Sequence, residues 1–334
     1  MGQRVGVVGA TGAVGQELLG LLHTRAYPLD ALHVFGSPAS AGGSVPWPGR
    51  EPLTLEALEA GALRACSRVF FCAGAEVSRT WVPRALEGEG LVIDSSSAFR
   101  YEPEVPLVIP ELNAAEIPAR GLVASPNCTT TLVALALAPL HRRARLTRLV
   151  VATYQAASGA GAAGLAELTA QTRAALAGEE VHVEHFPRPL AFNVFPHVDG
   201  FLPEEGWATR EEMKLTWETR KLLDLPELPC VATCVRVPVQ RAHSAAVFAE
   251  FAEALTVEQA REALAAGPGL RLVDDPQAAR YPTPLEASGA DAVLVGRVRK
   301  DPSCARGLAL FVSGDQLRKG AALNALQIAE QADR

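Results

Sequence analysis

No segment of this 334-residue chain is apolar for long enough to cross a bilayer. The longest apolar stretch, Leu132 to Leu140, is about half of the ~20 residues that a spanning helix needs. There is no basic excess either: 31 Lys and Arg stand against 37 Asp and Glu, a formal net charge of −6. With no basic stripe to displace counterions from phosphates, the composition argues against a nucleic-acid binder. The six cysteines (66, 72, 128, 230, 234, 304) are too sparse for a disulfide scaffold, and no CxxC pair points to zinc or thioredoxin-like chemistry. Glycines interrupt the apolar run of MGQRVGVVGATG at once, so no cleavable signal pattern is read there and a cytoplasmic protein is expected. Internal repeats and low-complexity tracts are missing, and lysine is limited to positions 214, 221, 300 and 319.

What is present is ordinary for a globular protein: 49% hydrophobic and 20% charged residues, too apolar for a disordered chain. At about 150 residues per domain the length suggests two domains. Arg4–Val8 reads as a buried parallel strand, followed by Gly9-Ala-Thr-Gly12-Ala-Val-Gly15 and a helical QELLGLLHT. This is a G-x-x-G-x-x-G variant of the dinucleotide fingerprint in a strand–turn–helix setting, where missing Cβ atoms admit a pyrophosphate to the helix N-terminus. A ligand-free glycine turn is the plainer reading. Further strands are expected at Ala31–Gly36, Arg68–Ala73 and Leu91–Asp94, with a helix over Glu76–Leu86 that Pro83 should bend or shorten. Such alternation implies a Rossmann-like doubly wound parallel sheet. After the second strand, where an acidic residue would hold a ribose 2′-hydroxyl, the chain reads Gly36-Ser37-Pro-Ala39-Ser40-Ala-Gly. Hydroxyls and amides without a carboxylate favour NADP over NAD.

Beyond about residue 145 the texture changes. Alternating runs at 148–156, 231–239, 245–251, 292–298 and 308–313 suggest a mixed or antiparallel sheet. Helical patterns fall at 161–176, 211–223, 257–266 and 317–331. The expected organisation is a dinucleotide domain over 1–127, completed by a C-terminal helical segment 315–334 that packs back on it. The second is an α+β catalytic and dimerisation domain over 128–314.

Cys128, in Ser125-Pro-Asn127-Cys128-Thr-Thr-Thr131, falls at or just before the start of an apolar helix. Amide donors and the helix dipole there stabilise a thiolate. Asn127 and the Cys128 amide are candidate oxyanion donors; the alternative is a structural cysteine at a helix cap. His243, in a small-residue strand connection, is the candidate acid/base. Arg236 could fork onto a carboxylate. Ser95–Ser97 and Arg100 follow a strand end and suit an anion. Glu211 and Lys214, three apart on a helix, read first as a solvated i,i+3 ion pair. Cys230 and Cys234 are read as facing the buried side of a strand. His182, His185 and His197 read first as solvated or core-edge residues and second as a metal cluster; no metal site is assigned. A cofactor domain, a cysteine nucleophile and anion anchors together suit a dehydrogenase working through a thioester.

These segments resemble the aspartate-semialdehyde dehydrogenase family nearly end to end: GATGAVG, IDSSSAFR, PELN, SPNCTTT, YQAASGAGAAG, AFNVFPHVDGF, REEMK with ETRK, CVRVPVQRAHS and RKGAALNALQIAE. The resemblance implies NADPH-dependent reductive dephosphorylation of L-aspartyl-4-phosphate to aspartate semialdehyde. That step leads toward lysine, threonine, methionine, isoleucine and diaminopimelate. It assigns the nucleophile to Cys128, acid/base work to His243 and orientation of the acyl group to Gln155. Arg236 would take the α-carboxylate and Glu211 the amino group. Arg100 and Lys214, with Asn127 beside them, would hold the phosphate. Gly9, Thr11, Gly12, Ala13, Val14, Ser37, Ala39, Ser40, Ser158, Gly159 and Gln316 match cofactor-contacting stretches. A homodimer or dimer of dimers is implied, with the second domain's sheet as the contact.

Many relatives carry an arginine where this chain has Ala39, which loosens the 2′-phosphate preference and leaves NAD use open. Gln316 replaces a common asparagine. Three alternatives are less consistent with these residues. The cysteine motif of N-acetyl-γ-glutamyl-phosphate reductase usually resembles Pro-Gly-Cys-Tyr-Pro-Thr. Glyceraldehyde-3-phosphate dehydrogenase lacks the RVPV…H pattern. A non-catalytic homologue would be expected to lose the nucleophile or base, and both stand here.

Overall fold

A computed structural model describes residues 2–334. The chain forms two compact units, one running to Asn127 and resumed by Gly320–Arg334, the other Cys128–Lys319. Residues 315–319, grouped above with the C-terminal segment, stay with the second unit because their side chains are bonded there. The Asp315 carboxylate accepts from Arg241 Nε and from the Gly289 N–H, each at 2.6 Å. Gln316 accepts from the Ala242 N–H at 2.8 Å.

The first unit is a six-stranded sheet in the order Glu56–Ala57, Leu29–Gly36, Gln3–Val8, Arg68–Phe71, Leu91–Asp94, Gly121–Ala124. Every pairing in it is parallel. Side chains alternate across the pleat into two separate cores. Val5, Val7, Val34, Phe70 and Ile93 meet the leucines of helix Ala13–Thr24 and the C-terminal helix Leu323–Ala332. Val8, Phe35, Val69, Phe71 and Val92 meet Val82 and Ala85 of helix Ala75–Ala85. That helix runs through the exposed Pro83 to end two residues later. The strand Gly121–Ala124 is not anticipated from sequence: its four residues begin on a glycine at φ +105° and are too short to show alternation. Neighbouring strands leave Gln3–Val8 in opposite directions along the sheet. The crevice at its carboxyl end is where such sheets bind ligands, and the glycine turn lies there.

The second unit carries a mixed sheet in the order Cys230–Arg236, Leu146–Gln155, His243–Phe251, Gly307–Gly314, Val293–Lys300, Leu270–Leu272. Its two outer pairs are parallel and its central pairs antiparallel. Helices Cys128–Arg143, Arg210–Leu222 and Val257–Ala265 pack on it. The register sets Tyr154, Val231, Phe248 and Phe311 toward an uncovered surface, the first three being exposed. The C-terminal segment is not one helix: a five-residue π-helical turn, Arg318–Ala322, precedes Leu323–Ala332.

The glycine turn is close-packed. A Cβ on Gly15 would stand 2.3 Å from the Gly9 carbonyl oxygen and 2.8 Å from Ala10 Cα, whereas one on Gly20, in the same helix, meets nothing within 4 Å. Gly15→Ala is therefore expected to destabilise the protein by about 1–3 kcal/mol. Gly20→Ala should be neutral or stabilising by up to ~1 kcal/mol. Denaturant unfolding of both variants checks this; equal effects would contradict it.

Candidate active site

Cys128 is the first residue of helix Cys128–Arg143, and every residue from Thr129 to Leu140 is buried. Half-buried Cys128 therefore stands at the positive end of the dipole of a firmly packed helix. Its Sγ lies 4.0 Å from Thr129 Oγ1. Thr129 Oγ1 accepts from Gln155 Nε2 at 3.1 Å, and the same nitrogen donates to Glu211 Oε1 at 3.0 Å. Thr153 Oγ1 donates to Gln155 Oε1 at 3.2 Å, which fixes the amide's orientation.

Glu211 lies in the first turn of helix Arg210–Leu222, whose N-terminus is closed by a Thr209–Glu212 capping box. It is buried, so Gln155 and Lys214 Nζ, at 3.2 Å, are partners to a desolvated carboxylate. Lys214 also bonds Asp199 at 2.7 Å, and that partner holds the Asp199 carboxyl below the usual carboxylate range although burial opposes it. The i,i+3 pair expected from sequence exists, but on an inward face and not a solvated one. Asp199, which the sequence reading did not single out, completes it.

Arg236 ends its strand directly beside Gln155. Its Nη1 donates to the Ala156 carbonyl at 2.7 Å, and its guanidinium lies 5.8 Å from the Phe186 ring centre. Burial pulls its pKa down, while the charges of Glu211 and Cys128 push it up. The guanidinium is thus within electrostatic reach of both.

His243 opens its strand and is 1% exposed. Its Nδ1 accepts from the Ala156 N–H at 3.0 Å, so the neutral ring carries its proton on Nε2. Burial first, and the Arg236 charge second, hold its pKa well below the ordinary 6.5. Nε2 is buried and has no hydrogen-bond partner among the described residues, so it offers an N–H donor to a ligand atom. The neutral imidazole is therefore placed as a hydrogen-bond donor; taking up a second proton would require Nδ1 to release Ala156. Gly159 keeps this space open. A Cβ there would stand 2.8 Å from His243 Cε1, 2.9 Å from Nε2 and 3.0 Å from Arg236 Nη1. Ser158, next to it, has its Oγ bonded by Gln316 Nε2 at 2.6 Å.

In the first unit Gly9 has φ +82°, and Gly12 caps helix Ala13–Thr24 without any side-chain hydrogen bond, so the first amides of that helix remain open to an anion. Thr11 is exposed, and Ala13 and Val14 half-buried, in the same turn. The second strand ends at Gly36, and Ser37 and Ser40 hydroxyls lie 3.1 Å apart around the exposed Ala39. Asp94, fully buried, accepts from Ser78 Oγ and Ser96 Oγ at 2.8 Å and from the Ser96 N–H at 3.0 Å; burial raises its pKa. It fixes the serine loop from which Arg100 extends, tied by Nε to Ser125 O at 2.9 Å and by Nη2 to Ser95 O at 2.8 Å. Asn127 is nearly buried.

Burial pushes Cys66 up to about 11 and Cys72 up to about 12, and raises Cys230 and Cys234 as well. Cys234 is fully buried and Cys230 half-buried on one strand face. His197 stacks on Phe201 at 4.3 Å and His185 meets Phe186 edge-on at 5.6 Å, so both work as packing groups.

A dinucleotide-type parallel sheet and, in a separate unit, a helix-capped cysteine with a neutral buried imidazole define a nicotinamide-dependent enzyme of the semialdehyde dehydrogenase class. Family models agree: semialdehyde dehydrogenase, NAD binding domain, matches residues 4–119, and semialdehyde dehydrogenase, dimerisation domain, matches 137–319. The chain is 48% identical over 328 residues to the aspartate-semialdehyde dehydrogenase of Synechocystis sp., covering 98% of this chain and 96% of that one. To the Aquifex aeolicus aspartate-semialdehyde dehydrogenase it is 42% identical, covering 99% and 98%. The crystal structure of aspartate semialdehyde dehydrogenase II of Vibrio cholerae, complexed with ASA, superposes with a TM-score of 0.95 at 39% identity, covering 100% and 99%. The chain belongs to the aspartate-semialdehyde dehydrogenase family.

Two outcomes follow from the His243 pocket. Gly159→Ala should fold, because the added methyl meets side-chain atoms and not main chain, yet lose at least about 100-fold in kcat/KM by displacing imidazole and guanidinium together; wild-type activity would contradict this packing. The depressed His243 pKa also sets a pH dependence. In the unfolded chain the ring protonates near 6.5, while in the folded protein it stays neutral to lower pH. The stability it permits is complete above 6.5 and is lost as pH falls toward the folded value, because the unfolded state binds the extra proton. Urea midpoints of the wild type should fall more steeply between pH 7 and pH 5 than those of His243→Asn.

Proposed function

We propose that this chain reduces L-aspartyl-4-phosphate to L-aspartate 4-semialdehyde and phosphate through a thioester on Cys128, with NADPH as the reductant. The observation that carries this is Cys128 at the start of a buried helix, in the unit whose buried imidazole has an Nε2 with no hydrogen-bond partner among the described residues.

The Cys128 thiolate attacks the acyl-phosphate carbonyl carbon, with the Asn127 side chain and the Cys128 amide as oxyanion donors. Collapse of the tetrahedral species breaks the C–O bond to phosphate, and family likeness assigns Arg100 and Lys214 to the departing anion. Bound NADPH supplies the hydride that reduces the thioester carbon. The Nε2–H of His243, the proposed acid/base, donates a hydrogen bond to the resulting oxyanion and shares its proton with it; when that oxyanion collapses to the aldehyde C=O and the C–S bond breaks to return the Cys128 thiolate, the proton remains on Nε2. Through this sequence Gln155, held by Thr129, Thr153 and Glu211, orients the acyl group. Arg236 takes the α-carboxylate and Glu211 the amino group.

The glycine turn fits a dinucleotide pyrophosphate: Gly9 at φ +82° and the uncapped helix start leave room and open amides. Gly12, Thr11, Ala13 and Val14 line that turn, and the Ser37 and Ser40 hydroxyls suit a 2′-phosphate. Ser158, Gly159 and Gln316 match contacts to the nicotinamide end. Ala39 supplies no guanidinium, so NADP is preferred by hydroxyls alone and NAD remains usable. The apolar sheet face of Tyr154, Val231, Phe248 and Phe311 supports a homodimer, or a dimer of dimers, formed by the second unit. Among the described residues no helix is long and apolar enough to cross a membrane; a cytoplasmic location is part of the same proposal.

Phosphate-dependent oxidation of L-aspartate semialdehyde tests the reading. Cys128→Ser should lower kcat by about three or more orders of magnitude while NADP binding persists; an active serine variant is incompatible with the thioester. Arg236→Lys keeps the charge but not the fork, and should raise KM for the semialdehyde by about tenfold or more.

A further inference from the structure

Residues 179–194 form no helix or strand, yet this segment carries Phe186, which is nearly buried against the Arg236 guanidinium. Two buried polar side chains one helical turn apart, Glu167 and Gln171 of helix Gly161–Ala177, hold it in place, and the reaction above uses neither. Glu167, 8% exposed, accepts the main-chain N–H groups of Glu184 and Phe186, each at 3.3 Å, and of His185 between them. It also accepts Gln171 Nε2 at 2.8 Å. Gln171, 2% exposed, accepts from the Leu190 N–H at 2.7 Å and the Ala191 N–H at 3.2 Å, and donates to the His182 carbonyl at 3.0 Å.

The clamped segment ends at Arg236 by two routes. The Phe186 ring lies 5.8 Å from the guanidinium and 6.1 Å from Phe195. Phe195 in turn exchanges main-chain hydrogen bonds of 3.2 and 2.9 Å with Arg236. An aromatic ring within about 6 Å attracts a guanidinium and limits where it can move, and a carboxylate is gripped in two parallel bonds only when the fork is held in place. Several N–H donors converging on one desolvated acceptor require a carboxylate, since an amide would turn an NH2 toward them.

We propose that Glu167 and Gln171 are positioning residues for recognition of the substrate α-carboxylate: they fix the 182–191 segment so that Phe186 and Phe195 stay beside Arg236 and limit the orientation of its fork. The inference rests on the assignment of Arg236 to that carboxylate.

The test compares kcat/KM for aspartate semialdehyde with kcat/KM for 3-aminopropanal, the same aldehyde without the carboxylate. Glu167→Gln should lower this ratio by about tenfold or more, chiefly through KM for aspartate semialdehyde. Phe186→Leu, which leaves the helix untouched, should lower it in the same direction, and it decides the matter alone if Glu167→Gln does not fold. The proposal is overturned if Arg236→Lys lowers the ratio while these variants keep the wild-type value. It is equally overturned if Glu167→Gln lowers both substrates in proportion, the mark of a general structural role. If Arg236→Lys itself leaves the ratio at the wild-type value, the carboxylate assignment fails and this inference with it.

Discussion

The main chain of Ala156 is the constraint on which the second unit's chemistry depends. Its N–H donates to His243 Nδ1 and its carbonyl accepts from Arg236 Nη1, so one residue, immediately after Gln155, sets an imidazole tautomer and a guanidinium orientation together. Ala156 can do this because the sheet register puts Gln155 opposite Arg236 on one side and Tyr154 opposite Ser244 on the other. Each functional group is then one or two bonds away from a ladder that cannot slip without turning a whole strand inside out.

Desolvation acts on this arrangement in opposite senses. It keeps His243 neutral, so the ring offers a proton at a fixed place, and it makes Glu211, Lys214 and Arg236 interact strongly because water is largely excluded. Ionised groups at such depth persist only when each has partners. Glu211 has Gln155 and Lys214, and Lys214 has Asp199. Cys128 stands at the start of a helix, where the dipole favours a thiolate, while burial raises the thiols of Cys66, Cys72, Cys230 and Cys234.

Much of the first unit was legible because its strands are buried on both faces and its helices follow at short intervals, which produces apolar runs broken by a glycine turn. The strand Gly121–Ala124 was not, having four residues and no periodicity of its own. The candidate site residues were picked out by chemical type, and Cys128 also by its place before a helix. Their partners were not. Ala156 acts through its main chain, which carries no side-chain signal. Asp199, Glu167 and Gln171 look in sequence like solvated loop and helix polars; only the burial of Glu167 and Gln171 among main-chain N–H groups, and the ion pair of Asp199 with Lys214, give them meaning.

By itself the sequence determined the alternation of elements, the glycine turn and the order of residue types able to do thioester chemistry, because these follow from local sterics and from periodicity. Only the tertiary structure decided which nitrogen of His243 holds the proton, that Glu211 and Lys214 face inward, and that residues 315–319 stay with the second unit. Those properties depend on which main-chain group or side chain, tens of residues away, comes within 3 Å, a distance no local pattern encodes.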